Sequence, residues 1–177
     1  MLNPIFSVHN FGAFDYSLGR HRPGESPERL VSAYEFEFYT EKGQGGLRID
    51  SVFYQASRGG CILAKPGQTE SVIKPYRGYY LNIITQDPEL CDMLDHLPNA
   101  FTLWNMGEVV KLIHKMLNTE DRQSPVSRMQ LQSYACQTWR SSINTAGLPK
   151  MPISAPCSTK RPYSWQINIS GITCRRS

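Results

Sequence analysis

Short apolar segments separated by turn-forming residues dominate the part of the chain between residues 43 and 84. Glycine and proline recur there about every eight to ten residues, and short apolar runs such as 61–64 and 79–85 lie between them. Short strands bounded by such turns are typical of antiparallel sandwiches and barrels. The pattern predicts about six to eight short strands.

One of these strands alternates strictly between aromatic and acidic residues. In the segment YEFEFY, which starts at residue 34, the side chains of Tyr34, Phe36 and Phe38 share one face and those of Glu35 and Glu37 share the other. Successive side chains of a strand point to opposite faces. We therefore predict a half-buried strand, with its aromatic face in the core and Glu35 and Glu37 directed outward.

Helix signals follow the strand pattern. Asp87, followed by a proline, is a favourable N-cap and predicts a helix that ends near Leu97. Asn105, with a glutamate three residues later, predicts the start of a second helix. Ser124, again before a proline, predicts a third helix that continues to Gln137.

The second predicted helix has one apolar face, formed by Val109, Leu112, Ile113, Met116 and Leu117. These positions recur at helical spacing. The face must be covered by the strands or by a second subunit, and we expect it to serve both as a packing face and as a dimer contact. With the third helix it predicts an antiparallel αα-hairpin.

These elements define a mainly β fold with added α-helices, divided into four segments. Residues 1–30 are interrupted by Gly and Pro and are predicted as an irregular N-terminal arm, followed by a β-barrel over 31–86 and a helical segment over 87–138. Residues 139–177 show no sustained periodicity and are predicted as a disordered tail.

The composition is typical of a cytoplasmic globular protein. A hydrophobic fraction of 40% suffices for a core, whereas no apolar run approaches the ~18 residues of a membrane-spanning helix. The N-terminus lacks the basic and apolar regions of a secretory leader. Five cysteines without a CxxC pair are typical of reduced thiols. We expect a cytoplasmic location and no membrane partner.

The net charge of +4 comes from the tail. Six of the 19 Lys and Arg residues, and none of the 15 Asp and Glu residues, lie in 139–177, so residues 1–138 carry a net charge of −2. A mildly acidic segment is poorly suited to hold a phosphate backbone. Residues 1–138 are therefore not expected to bind DNA by themselves.

The tail also has an explanation at the level of the gene. If one nucleotide is missing near Thr138, the original frame combines the third base of each codon with the first two bases of the next. With the one undetermined base chosen freely, the chain can continue from Gln137 as QTLALLDQYR and from Lys150 as KDAYISTMLHKEAVLLADKYIRDNLQK. These segments have helical periodicity, which the printed tail lacks. Sequencing the encoding DNA decides between a genuine and a frameshifted tail.

Several short motifs follow one another in a recognisable order. They are Arg22-Pro23, Lys42-Gly43-Gln44-Gly45, Gly60 with Pro66-Gly67 after five intervening residues, Tyr79-Tyr80 and Asp87-Pro88. With the helical pair after them, they resemble the N-terminal effector-binding and dimerisation domain of AraC-family transcription regulators. The resemblance covers about residues 5–138.

The resemblance implies both a fold and a function. In that family a cupin barrel (a double-stranded β-helix or jelly roll) holds a small molecule, often a sugar, beneath an N-terminal arm. Two helices pair with those of a second subunit, and a C-terminal domain with helix-turn-helix units reads DNA. By resemblance, this chain senses a sugar-like effector as a homodimer without a cofactor, and contacts DNA only through a C-terminal domain that it lacks.

The resemblance and the residue types together give a set of candidate ligand contacts. Arg22 matches an arginine that contacts the ligand in the family; the alternative is an exposed loop arginine. Glu70 stands where a histidine commonly lines the pocket, and its carboxylate can accept hydrogen bonds from ligand hydroxyls; the alternative is a solvated glutamate at a strand end. The remaining candidates are apolar: Phe36, Phe38, Val72, Leu81 and Ile83.

A catalytic or metal-dependent function is not expected. Metal cupins need two or three histidines and a glutamate that converge on one ion. The four histidines here lie outside the predicted strands, at His9, His21, His96 and His114. Cys61 has no neighbouring base to activate it. Two alternatives remain: a stand-alone sugar-binding cupin with a genuine tail, and a cupin enzyme such as an isomerase or dioxygenase.

Overall fold

The computed structural model describes residues 6–17, 24–122 and 124–143, with side chains described as far as residue 138, and the backbone of two strands in the tail. The described elements, in chain order, are β1 (Ser7–Asp15), β2 (Gly24–Glu25), β3 (Arg29–Leu30), β4 (Tyr34–Phe38), β5 (Gly46–Ile49), β6 (Val52–Gln55), β7 (Gly60–Ala64), β8 (Thr69–Lys74), β9 (Arg77–Ile84), α1 (Pro88–His96), β10 (Ala100–Thr102), α2 (Met106–Leu117), α3 (Pro125–Ile143), β11 (Trp165–Asn168) and β12 (Gly171–Cys174).

Strands β1 to β10 form two antiparallel sheets, so the fold is mainly β with a few helices. Sheet 1 has the strand order β1-β9-β4-β7-β10; sheet 2 has the order β2-β8-β5-β6, with β3 also paired to β8. The two sheets share a core to which β5 contributes Leu47 and Ile49 and β7 contributes Ile62 and Ala64. One face of sheet 1 is therefore directed at sheet 2.

The other face of sheet 1 is covered by the helices. Phe36 and Phe38 of β4 and Leu81 of β9 belong to one core cluster with Leu94 of α1 and Val109 of α2. Burial of each such side chain contributes about 1.5–3 kcal/mol. Because the helices cover one face of sheet 1 and sheet 2 faces the other, alternate side chains of its central strands enter two different environments.

The predicted helix starts are confirmed. The side chains of Asp87 and Asn105 each accept a hydrogen bond from the backbone N–H three residues later, at 2.9 and 3.3 Å. Each cap satisfies a donor that the first helical turn leaves unpaired. α1 ends at His96, beside the predicted end, whereas α3 continues to Ile143 instead of ending at Gln137. None of the helices within the described ranges combines the length and apolarity needed to cross a bilayer.

The described residues among the first thirty, 6–17 and 24–30, are more regular than the sequence indicated. β1 pairs antiparallel with β9, from Ser7 beside Ile84 to Asp15 beside Arg77, with one irregularity near its start. β2 and β3 pair with β8. The prediction of an irregular arm over 1–30 does not hold for these strands. Their Gly and Pro content is tolerated because strands at or near a sheet edge need fewer ladder hydrogen bonds.

The tail contains a backbone hairpin that the sequence did not predict. β11 pairs antiparallel with β12, with Trp165 opposite Cys174. The prediction of a disordered tail therefore does not hold for these two strands. The remaining residues of 144–177 lie outside the described residues.

The apolar face of α2 lies inside the subunit. Val109, Leu112, Ile113 and Met116 are each at most 1% exposed, and Leu117 is partly buried against the same core. Side chains without exposed surface cannot also contact a second subunit. The proposed dual use of this face is therefore corrected to a packing role for the four buried residues, while dimerisation itself stays a prediction.

Candidate functional site

A cavity of about 360 Å³ lies between the two sheets. Its lining residues come from both sheets and from the segment that follows β1: Ala13, Phe14, Tyr16, Arg29, Glu35, Glu37, Glu70, Val72, Tyr80 and Asn82. A concave site of this volume with a few convergent polar groups is typical of small-molecule binding sites. The cavity is therefore the candidate functional site.

Strand β4 supplies an acidic wall of the cavity. Glu35 stands opposite Asn82, and Glu37 opposite Tyr80, in the ladder with β9. Direct antiparallel partners point to the same face, so these four side chains share the inner face of sheet 1. The prediction that Glu35 and Glu37 point outward is wrong. Because β4 is a central strand with sheet 2 facing its inner side, its polar face borders a cavity that is partly open to solvent.

Four of the predicted ligand contacts lie on the opposite face of sheet 1: Phe36, Phe38, Leu81 and Ile83. Each is at most 2% exposed. They pack with Phe6 and Ala135 beneath the helices and leave no space that water can enter. Their assignment as ligand contacts is therefore corrected to a core role. The error follows from the strand period, since a shift of one residue moves a side chain to the other face.

Three predicted contacts remain. Glu70 and Val72 line the cavity, and Glu70 is only 3% exposed, so it is not a solvated glutamate at a strand end. Arg22 lies outside the described residues. The structure thus brings two of the seven candidates together at one site, and their contact with a ligand stays a prediction.

Arg29 joins two of the cavity carboxylates. Its guanidinium donates hydrogen bonds to both oxygens of Glu35, at 2.9 and 2.6 Å, and to Oε1 of Glu70, at 3.0 Å. Arg29 and Glu70 are direct partners in the β3–β8 ladder, so backbone pairing fixes this contact. The hydrogen bonds to Glu35 make the largest contribution to raising the pKa of Arg29 above its ordinary value. The β3–β8 pairing therefore positions Arg29 and Glu70, and the β4–β9 pairing positions Glu35.

Burial raises the pKa of two carboxyl groups of the cavity, those of Glu37 and Glu70. Glu37 accepts a hydrogen bond from the Tyr39 hydroxyl at 2.6 Å, yet removal from water raises the pKa of Glu37 to about 8, with added repulsion from Glu70 and Glu35. Burial also raises the pKa of Glu70, while Arg29 opposes that rise. Before a ligand binds, Glu37 is therefore mostly protonated at pH 7.

The Tyr76 hydroxyl is a second buried polar group beside Glu37. Tyr76 is 3% exposed, and its oxygen has no hydrogen bond of accepted geometry to any described residue. Glu37 is nevertheless close enough to contribute, after burial, to raising the pKa of Tyr76. The two groups therefore interact in the interior of the domain.

Aromatic rings form the wall at the end of β1. The ring of Phe14 lies 5.4 Å from that of Tyr16, 5.3 Å from that of Tyr76 and 6.4 Å from that of Tyr80, measured between centroids. The ammonium of Lys74 lies 5.0 Å from the centroid of Tyr16. Such rings offer an apolar surface and a negative face. The cavity thus combines acidic groups with aromatic faces.

The sequence did not identify several cavity residues: Arg29, Glu35, Glu37, Tyr80 and Asn82. The alternation of glutamate with aromatic residues in β4 was the available signal. An acidic face on a strand requires contact with solvent or with a polar site, and on a central strand it indicates a polar cavity beside the sheet. Arg29 gave no such signal, because it lies in a Pro-containing segment whose pairing with β8 is set by tertiary structure.

The described residues offer the cavity acceptors and aromatic faces, and no arranged set of metal ligands. Within the described ranges, no three His, Cys, Asp or Glu side chains are placed to hold a metal ion. The Cys61 side chain lies in the core on the helical face of sheet 1, and burial raises the pKa of its thiol. The arrangement is therefore suited to binding a polar molecule.

Comparison with known proteins adds no relative. The chain matches none of the protein-family models, and no curated protein matches it in sequence. The functional proposal therefore depends on the sequence motifs and on the cavity.

Proposed function

We propose that this chain is the effector-sensing domain of an AraC-like transcription regulator. In this proposal the two sheets form a cupin-type barrel, and α2 and α3 form an antiparallel hairpin. The order of the sequence motifs supports the family, and the cavity between the sheets supports a sensing role. The effector is a small polar molecule, and binding changes how DNA-binding domains are presented in an intact regulator.

The observation that carries the proposal is the charged network at the cavity wall. Arg29, Glu35 and Glu70 lie where apolar side chains could fill the space between the sheets. Ion pairs, whether exposed or buried, are often no more stabilising than well-packed apolar residues of similar volume. The presence of these three charged side chains is therefore better explained by ligand recognition than by stability.

β1 offers a physical link from the cavity to the helices. Phe14, near one end of β1, lines the cavity. At the other end, the backbone carbonyl of Phe6 accepts a hydrogen bond from the side chain of Gln132 in α3, and the Arg122 guanidinium lies 4.8 Å from the ring centroid of Phe11. A ligand that binds more tightly when β1 is docked shifts the population toward that state. We propose that effector binding alters the contacts of α3 by shifting the population of the state in which β1 is docked.

Homodimerisation is proposed to use α3. Val126 and Met129 are 67% and 74% exposed and lie three residues apart, so they share one side of the helix. We expect a Met129→Glu substitution to weaken self-association while the subunit stays folded. Sedimentation velocity measures both properties. A dimer that Met129→Glu does not weaken would exclude this surface.

Thermal unfolding with a panel of sugars, sugar acids and amines tests the sensing function. A ligand at a hundred times its Kd stabilises the folded state by about 2.7 kcal/mol, which raises Tm by several degrees. The shift is expected to disappear in Glu35→Gln and to persist in Glu89→Gln, because Glu89 is exposed on α1, on the other side of sheet 1. A panel without any stabilising compound would count against the proposal.

Three further measurements separate the regulator from its alternatives. Early proteolytic cleavage in 139–177 is expected, whereas resistance there favours a stand-alone binding protein. Stoichiometric Fe, Mn or Zn in the purified protein favours a cupin enzyme. No sequence-specific gel shift is expected from this polypeptide, because residues 1–138 carry a net charge of −2.

A further inference from the structure

The cavity has an excess of negative groups. Among the described residues that line it, three are carboxylates and one is a cation. The cation, Arg29, already donates hydrogen bonds to Glu35 and Glu70, so its charge is shared by these two carboxylates and not by Glu37. A ligand must therefore offer hydrogen-bond donors to the carboxyl oxygens of the cavity.

We propose that the cavity binds a small organic cation, with a primary ammonium or amidinium group at the Glu37 carboxylate and an apolar body against the rings of Phe14, Tyr16 and Tyr80. This inference depends on the proposed sensing function and narrows the chemical class of the effector. It replaces a neutral sugar by a molecule that carries a positive charge, such as an aliphatic amine or an amino sugar.

Hydrogen-bonding capacity supports the position of the charged group. An ionised carboxylate offers about four acceptor sites, and the Tyr39 hydroxyl occupies one of those on Glu37, at Oε2. An ammonium group brings three donors and no acceptor. The buried Tyr76 hydroxyl lies beside Glu37 and interacts with its carboxyl group.

The aromatic wall supports a cationic ligand. A cation within about 6 Å of an aromatic centroid is attracted to the ring face, more strongly once it is removed from water. The structure already contains one such contact, between Lys74 and Tyr16 at 5.0 Å. Phe14 and Tyr80 line the cavity beside it. An anionic ligand would instead meet the acidic groups of Glu35, Glu37 and Glu70 and these negative ring faces.

Binding of a cation is coupled to proton release. Burial raises the pKa of Glu37 to about 8, so near neutral pH the carboxyl must lose its proton to pair with the ligand. Affinity is therefore expected to rise with pH up to about 8, as long as the amine stays protonated. The charged or titratable groups that face Glu37 from the elements around it are Tyr16, Arg29, Glu35, Tyr39, Cys61, Glu70, Tyr76 and Tyr80.

Matched sets of probes test the proposal by isothermal titration calorimetry with the full chain. Each set keeps the body and changes one group: glucosamine, glucose and glucuronate, or 1,4-diaminobutane, 1,4-butanediol and succinate. The protein is expected to bind the amine of at least one set and not to bind the hydroxyl or carboxylate compounds of the same set. Binding confined to hydroxyl or carboxylate probes would overturn the cationic class but leave the sensing function standing. No binding in any set would count against both.

Substitutions locate the charged group. Glu37→Gln keeps the size and an acceptor for Tyr39 but removes the ionisable carboxyl, and is expected to weaken amine binding about tenfold or more. It should also abolish the rise in affinity between pH 6 and about 8. Glu89→Gln, exposed on α1, is the matched control and should change neither property. Amine binding with unchanged affinity and pH dependence in Glu37→Gln would refute the proposed position.

Discussion

The two faces of strand β4 carry out different tasks within five residues. Phe36 and Phe38 pack under the helices, where no space remains for water. Glu35 and Glu37, at the intervening positions, border a cavity of about 360 Å³. One face is filled and apolar, and the other is open and charged. The same backbone thus supports both the stability of the domain and its candidate site.

The difference shows how a central strand separates stability from recognition. A side chain on the filled face has neighbours on every side, so its removal leaves a hole. A side chain on the cavity face has the cavity on one side, so its removal changes the local charge more than the packing. Substitutions at neighbouring positions of β4 should therefore affect different measured properties.

The largest expected effect is on the filled face. Phe36→Ala should lower the free energy of unfolding by about 3–5 kcal/mol, because the lost ring leaves a cavity that the tightly packed cluster with Leu81 and Ile83 cannot close. Urea denaturation followed by circular dichroism measures the loss. Glu37→Gln, one position away, should change stability by less than about 1 kcal/mol near pH 4, because below about pH 4.5 the carboxyl is protonated in both the folded and the unfolded state. Similar losses from both substitutions would remove the distinction between the faces.

A smaller effect is expected from the ion-pair network. Arg29→Met leaves Glu70, 3% exposed, without its partner, and should cost about 1–2 kcal/mol. The cost is below that of a fully buried pair because Arg29 is half exposed. Part of the loss should be recovered on lowering the pH, when Glu70 takes up a proton. Arg77→Met is the control: its pair with Glu41 is exposed on both sides, so little change is expected. Equal losses from both substitutions would show that the cavity network has no special role.

A third effect concerns pH. The pKa of Glu37 is about 8 in the folded state, against an ordinary value of 4.5. The folded state therefore holds this proton more tightly, and the resulting stability is present in full below about pH 4.5 and is lost as the pH rises through about 8. Relative to the wild type, Glu37→Gln should become more stable across this window, by about 1 kcal/mol per pH unit. Chemical denaturation at several pH values measures it. A stability difference that is independent of pH would contradict the assignment.

Local signals in the sequence were sufficient for the helices. Asp87 and Asn105 act within their own first turns, so their role can be recognised without tertiary structure. The strands were also predicted closely between residues 34 and 84, because turn residues mark their ends. Which face of a strand is enclosed depends on what covers it, and alternation alone does not contain that information. This is why Phe36 was assigned to the pocket and Glu37 to solvent.

The site was predicted only in part for the same reason. Glu70 and Val72 were among the predicted ligand contacts, and they line the cavity. Arg29 could not be found, since its hydrogen bond to Glu70 spans 41 positions and depends on the β3–β8 pairing. Contacts between residues distant in sequence require the sheet order, which local patterns do not provide.

The smallest expected effect on stability tests how soft the cavity face is. A Cβ on Gly12 would lie 2.8 Å from the ring of Tyr80, whose free end can move toward the cavity. Gly12→Ala should therefore cost less than about 1 kcal/mol yet reduce ligand binding, since the displaced ring occupies ligand space. A Cβ on Gly78 would instead lie 2.5 Å from the backbone carbonyl oxygen of Phe38, which has no room to give way, so Gly78→Ala should cost about 1–3 kcal/mol. Calorimetric Tm values for the two variants decide the matter: if Gly12→Ala is as destabilising as Gly78→Ala, the ring of Tyr80 gives way no more easily than the backbone, and the cavity wall is not soft at this position.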